Sequence, residues 1–166
     1  MRTSPPMPGA DGQLVPLKIE EGVLLEMRLP SDPALFGVVR ATVNRLGALL
    51  GFSDTDCRSI TRAVDEALTN IVRHSYHGRP DQPLAIQFRR LLRGSDTSLE
   101  VLLWDQGPAI DASQLRERDP EELRPGGLGL RFIREAMDTV EFDRQGNANR
   151  LRMIKHLVAA GPGRTT

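Results

Sequence analysis

From Gly22 the chain alternates, with Val23, Leu25, Met27 and Leu29 on one face and Leu24, Glu26 and Arg28 on the other. A period of two predicts a strand. Asp32-Pro33 then reads as an N-cap with proline at the first helical position, and Leu35, Val39, Val43, Leu46 and Leu50 mark a helical stripe that stops at Gly51. Ser53-Asp54-Thr55-Asp56 resembles a capping box and opens a second helix, expected to run to about Ser75 before the Gly78-Arg79-Pro80 breaker. Leu84, Ile86 and Phe88 alternate in a second strand, and Arg93-Gly94-Ser95-Asp96 makes a turn. Leu99 to Trp104 is continuously apolar, the pattern of a central strand covered on both sides. A third helix follows Gly126-Gly129, marked by Leu130, Ile133 and Met137 and ending near Asp138. A hairpin of Val140 to Arg144, a Gly146-Asn147 turn and Arg150 to Val158 completes the pattern. Helices and strands in this order predict an α/β two-layer sandwich, a mixed, mostly antiparallel sheet with helices packed on one face.

Between these elements lie stretches that cannot build a core. Residues 1–18 are rich in proline and glycine without periodicity and are expected to be a disordered leader. Residues 19–159 form one domain, and 160–166 a frayed tail. Asp111 to Pro125 is densely charged and predicts a mobile surface loop. The 166 residues suffice for one domain with a real core.

Charge and cysteine content narrow the function. Twenty-two basic and 22 acidic residues give zero net charge, so nothing global argues for nucleic acid or an anionic membrane. No apolar run reaches membrane-spanning length. The single cysteine, Cys57, has no His or Cys cluster near it in sequence, which argues against metal or redox work and suits a reducing compartment. A cytoplasmic location is expected.

Three short stretches carry candidate chemistry. In the second helix Glu66, Asn70 and Arg73 follow an i, i+4, i+7 spacing along one face, while Val64, Ala67, Leu68, Ile71 and Val72 hold the other. A carboxamide oxygen can hold a hard cation, and a carboxylate one turn away can orient or deprotonate a nucleophile. Alone, such a pair is as consistent with a solvated helix face. Asp105-Gln106-Gly107 ends the third strand, where a carboxylate can accept a hydrogen bond from an exocyclic amine. An ordinary Asp-x-Gly turn would read the same. Gly126-Gly127-Leu128-Gly129-Leu130 opens the last helix, and glycines there let a backbone approach a phosphate beside the positive end of the helix dipole. The chain has only two lysines, Lys18 and Lys155, and neither follows a glycine-rich turn, which excludes a P-loop.

Each stretch is ambiguous, but their order is distinctive, and over roughly Gly22 to Val158 the chain resembles the anti-sigma-factor serine/threonine kinases of bacterial partner switching. These lie in the superfamily of gyrase, histidine kinases and MutL-type ATPases (GHKL). The resemblance implies a Bergerat-type ATP-binding fold with ATP and Mg2+ as cofactors. It makes Glu66 the general base and Asn70 the magnesium ligand; Asp105 and Asn149 would lie at adenine and Gly107 where nucleotide approaches. Gly126, Gly127, Leu128, Gly129 and Leu130 would close over the phosphates, with Arg73 and His74 beside them. It further implies a sigma factor and a STAS-type anti-anti-sigma protein as partners, and a homodimer. Two positions depart from the family pattern: Ala109 follows Pro108 where a second glycine is usual, and Asn149-Arg150 stands where the final strand usually opens with threonine. Two further readings stay open, a nucleotide-holding module that sequesters a partner without phosphotransfer, and a regulatory domain that keeps only the fold.

Overall fold

A computed structural model describes residues 21–94, 96–109 and 127–157. The sheet has five strands: β1 (Gly22–Pro30), β2 (Pro83–Arg93), β3 (Asp96–Asp105), β4 (Thr139–Gln145) and β5 (Ala148–His156). Their spatial order is β1-β2-β3-β5-β4, and every neighbouring pair is antiparallel, so among the described residues the sheet contains no parallel pair. Among the described residues three α-helices accompany it: α1 (Phe36–Leu50), α2 (Asp54–Asn70) and α3 (Gly127–Ala136). The leader, the tail, the charged loop and Gly126 lie outside the described residues.

The capping residues act as the sequence suggests. Asp32 accepts a hydrogen bond from the Ala34 amide at 2.9 Å, but the turn it caps is a short 3-10 segment, Pro33–Leu35, and α1 proper begins at Phe36. Phe36 is therefore buried, and Leu35, expected on the buried stripe, is exposed. Gly51 closes α1 at φ 95°, a left-handed conformation that costs glycine little. Ser53 caps α2 by accepting from the Asp56 amide at 3.1 Å. Where the two helices pass, a Cβ on Gly47 would lie 2.8 Å from the Cys57 sulfur; the close approach needs glycine there.

One face of the sheet carries the core. Leu84, Ile86 and Phe88 of β2, Leu99, Val101 and Leu103 of β3, and Leu151 and Met153 of β5 are buried. Against them lie buried residues of the helices, Val39 and Val43 of α1, Ile60, Val64 and Leu68 of α2 and Ile133 of α3. Contrary to the expectation for β3, helices among the described residues cover one face only. Its other face holds Glu100, nearly fully buried, which accepts from Arg89 at 3.0 Å and from Arg152 at 2.6 Å. Continuous apolarity along β3 thus reflects a central position in the sheet rather than two layers of helices.

Candidate functional site

Glu66 and Asn70 occupy the last turns of α2, both half-buried. After Asn70 the helix widens into a π-turn, Ile71–Ser75, in which the Tyr76 amide donates to the Ile71 carbonyl at 3.0 Å. Such turns concentrate at functional sites. The widening breaks the i+7 register that sequence spacing assigned to Arg73, and both Arg73 and His74 are exposed. Among the described residues the Asn70 side chain makes no hydrogen bond, so its amide is available to a ligand.

α3 packs alongside α2 at this point. Gly129, buried, lies so close to Glu66 that a Cβ there would overlap the carboxylate. One turn earlier on α2 the Arg62 guanidinium sits 4.1 Å from the centre of the Phe132 ring of α3, a cation–π contact worth about 0.5–1 kcal/mol at an exposed position. Leu130 follows Gly129 in the same turn and is half-buried. Gly127 opens α3, with Leu128 next to it.

At the end of β3, Asp105 is 4 % exposed. Its Oδ1 accepts from the Gly107 amide at 2.8 Å and from the Asn149 side-chain nitrogen at 2.9 Å. No described residue donates to Oδ2. Gly107 has a structural reason of its own: a Cβ there would lie 2.5 Å from the Ser75 Cβ and 2.8 Å from Asp105 Oδ1. The π-turn and the Asp-x-Gly turn thus touch directly.

A residue that the sequence did not single out joins them further. The Tyr76 hydroxyl donates to the Pro83 carbonyl at 2.6 Å and accepts from the Gln106 amide at 2.7 Å. Burial raises its phenol above the ordinary value, with the Asp105 charge adding to the shift. Asn149 was singled out for the base itself, but its amide is engaged within the protein, donating also to the Pro108 carbonyl at 2.9 Å and accepting from Arg144 at 2.8 Å. Arg144 is the second residue missed.

Together the structure brings Glu66 to Gly129, Ser75 to Gly107, and Asp105 to Asn149, while Arg73 and His74 stay at the surface. The donor set fits a nucleotide with a hard cation. A carboxylate oxygen is open for an amine, and an uncommitted amide can hold a cation whose other ligands are phosphates and water. Among the described residues no group of three or more His, Cys, Asp or Glu could hold a metal by itself. No described helix is long and apolar enough to cross a membrane.

Residues 29–155 match the family model of the histidine kinase-like ATPase domain. The serine-protein kinase RsbW of Halalkalibacterium halodurans is 31% identical over 133 residues, 75% of this chain and 78% of that protein. RsbW of Bacillus pumilus is 30% identical over 126 residues, 71% of this chain and 76% of its own length. Among solved structures, a chain of the SiaB–SiaC complex from Pseudomonas aeruginosa superposes with a TM-score of 0.59 at 15% identity, covering 81% of this chain and 89% of that one, a likeness of fold. The chain therefore belongs to the histidine kinase-like ATPase domain family, and within it to the serine-protein kinases of the RsbW type.

Proposed function

We propose that the protein is an anti-sigma-factor serine/threonine kinase, which binds a sigma factor and phosphorylates a serine or threonine on a STAS-type anti-anti-sigma protein. The observation that supports this best is the pairing of Glu66 and Asn70 on consecutive turns of α2, with Gly129 of α3 against the Glu66 carboxylate. The domain family implies ATP binding. In this reading Asp105 receives the adenine amine on Oδ2, and the α3 N-terminus with Gly127 and Gly129 faces the phosphates. Asn70 holds Mg2+, which when bound offsets the phosphate charge.

The chain's own residues then do two things. Asp105 and the start of α3 fix the two ends of the nucleotide. Glu66 accepts the proton of an incoming serine hydroxyl, whose oxygen forms the new bond to the terminal phosphorus as ADP leaves. A homodimer belongs to the same proposal.

Glu66→Gln tests the base. Glutamine matches glutamate in size and nearly in helix propensity, so α2 and nucleotide binding should persist. Transfer from radiolabelled ATP to the antagonist protein should fall about a hundredfold or more. Transfer that survives in Glu66→Gln would remove the role. Ala109 and Asn149, at family glycine and threonine positions, favour the second reading, a nucleotide-holding module without transfer. A wild type that binds nucleotide and partner yet transfers no phosphate would establish that reading instead.

A further inference from the structure

Asn149 is the cross-strand partner of two residues at once, Asp105 on β3 and Arg144 on β4. Residues directly opposite in antiparallel strands point to the same side of a sheet. The register therefore lines up Asp105, Asn149 and Arg144 in one row on the side that carries the helices. Asn149 is 2 % exposed, so each of its polar atoms needs a partner inside the protein. Its Nδ2 donates to Asp105 Oδ1 at 2.9 Å and the Pro108 carbonyl at 2.9 Å, with the Gly107 carbonyl further off at 3.4 Å. Its Oδ1 accepts from Arg144 Nη1 at 2.8 Å, and the same nitrogen reaches the Gly107 carbonyl at 3.4 Å.

These partners leave the amide one orientation. A guanidinium has only donors, and carbonyls and a carboxylate have only acceptors. Rotating the amide by half a turn would set its oxygen against the carboxylate and the carbonyls, and its NH2 against the guanidinium. Arg144 thus selects the orientation in which Asn149 donates to Asp105. Asp105 Oδ1 is then doubly occupied, by Asn149 and by the Gly107 amide. Oδ2 is the oxygen left for a ligand.

We propose that Arg144 and Asn149 are positioning residues for nucleotide choice: the row holds Asp105 so that Oδ2 meets a purine bearing a 6-amino group, a donor, and disfavours a 6-oxo purine, which presents an acceptor there. This rests on the proposed role of Asp105 at the base, and assigns Asn149 to the carboxylate rather than to the base. Substituting threonine would offer one hydroxyl proton where the amide has two, and could not tie both Asp105 and the Pro108 carbonyl. The same amide therefore anchors the turn at Pro108-Ala109, where the family's second glycine is missing.

The experiment measures dissociation constants of the full chain for non-hydrolysable analogues of ATP and of inosine triphosphate, in wild type, Asn149→Ala and Arg144→Ala. Wild type should prefer the adenine analogue. Asn149→Ala should narrow that preference about tenfold, the scale of one charge-assisted hydrogen bond set out of line. Arg144→Ala, at an exposed position, should narrow it in the same direction by a smaller factor. A merely structural role would weaken both analogues alike. Variants that keep the wild-type ratio, whatever their absolute affinities, overturn the inference while leaving Asp105 at the base. A wild type that binds neither analogue, or both equally, overturns the role of Asp105 and the inference with it.

Discussion

The Tyr76 hydroxyl makes two hydrogen bonds to backbone groups far apart in sequence, Pro83 seven residues on and Gln106 thirty residues on. No local pattern marks such a residue, because its role exists only once β2 and the end of β3 are in place. Tyr76→Phe keeps the buried ring and leaves the Gln106 amide and the Pro83 carbonyl without this partner. A loss of about 1–3 kcal/mol in unfolding free energy is expected, with faster amide exchange at Gln106 and weaker nucleotide binding. The pH dependence has a definite sign. Burial raises the folded phenol above its ordinary value of 10.0. The protonated hydroxyl therefore contributes its full stability below about pH 10 and loses it as pH climbs through the raised value. Denaturant titrations of wild type and Tyr76→Phe should differ by a constant amount below pH 10 and converge above it. A difference that grows with alkalinity would contradict the assignment.

Among the elements, α2 was the most legible in sequence and its end the least. Ser53, the apolar side of Val64, Ala67, Leu68, Ile71 and Val72 and the Glu66–Asn70 spacing are all local patterns; Ser53 caps the helix and the apolar side is buried. The π-turn at Ile71–Ser75 does not announce itself, because it follows from where β2 must begin and from the contact between Ser75 and Gly107. Asp105 and the glycines could be named from their positions at element ends, whereas Arg144 and Tyr76 needed strand register and tertiary contact. Two glycine substitutions separate the elements' roles. In Gly129→Ala the new methyl meets the far end of the Glu66 side chain, which can swing away, and alanine gains up to about 1 kcal/mol in helix propensity. Its melting temperature should hold or rise while phosphotransfer falls, since the carboxylate is displaced. In Gly107→Ala the methyl meets the Cα of Ser75 at 3.0 Å as well as its Cβ, a wall that cannot yield. Thermal unfolding should show a loss of about 1–3 kcal/mol. Equal behaviour of the two variants would argue that neither contact is as close as described.

At the scale of the whole molecule, helices lie on one face of the sheet and, among the described residues, ion pairs lie on the other. On the open face Leu102 and Ile154 are still buried, with Arg152 directly opposite Leu102 and Glu100 opposite Ile154. Arg152 also reaches Glu141 at 2.8 Å, and Arg150 pairs with Asp143, so arginines on β5 bind acidic residues on β3 and β4 across the strands. The sheet's edges are β1 and β4. β1 runs for nine residues and exposes Val23 at 56% and Leu25 at 39% near its start. A strand of that length, whose outer edge pairs with no other described strand and which carries apolar side chains, invites pairing with another chain. The proposed homodimer would use it. Sedimentation at about 50 µM, a concentration that populates contacts of micromolar strength, should give a dimer for wild type. Leu25→Lys should shift the equilibrium toward monomer, because a charge at the edge opposes strand addition. Its ATP affinity should be unchanged, since Leu25 pairs with Phe88, well along β2 from the Leu84–Asp105 end where the nucleotide is placed. A wild type that sediments only as monomer would sink the homodimer, and a Leu25→Lys variant that dimerises as tightly as wild type would move the interface away from β1.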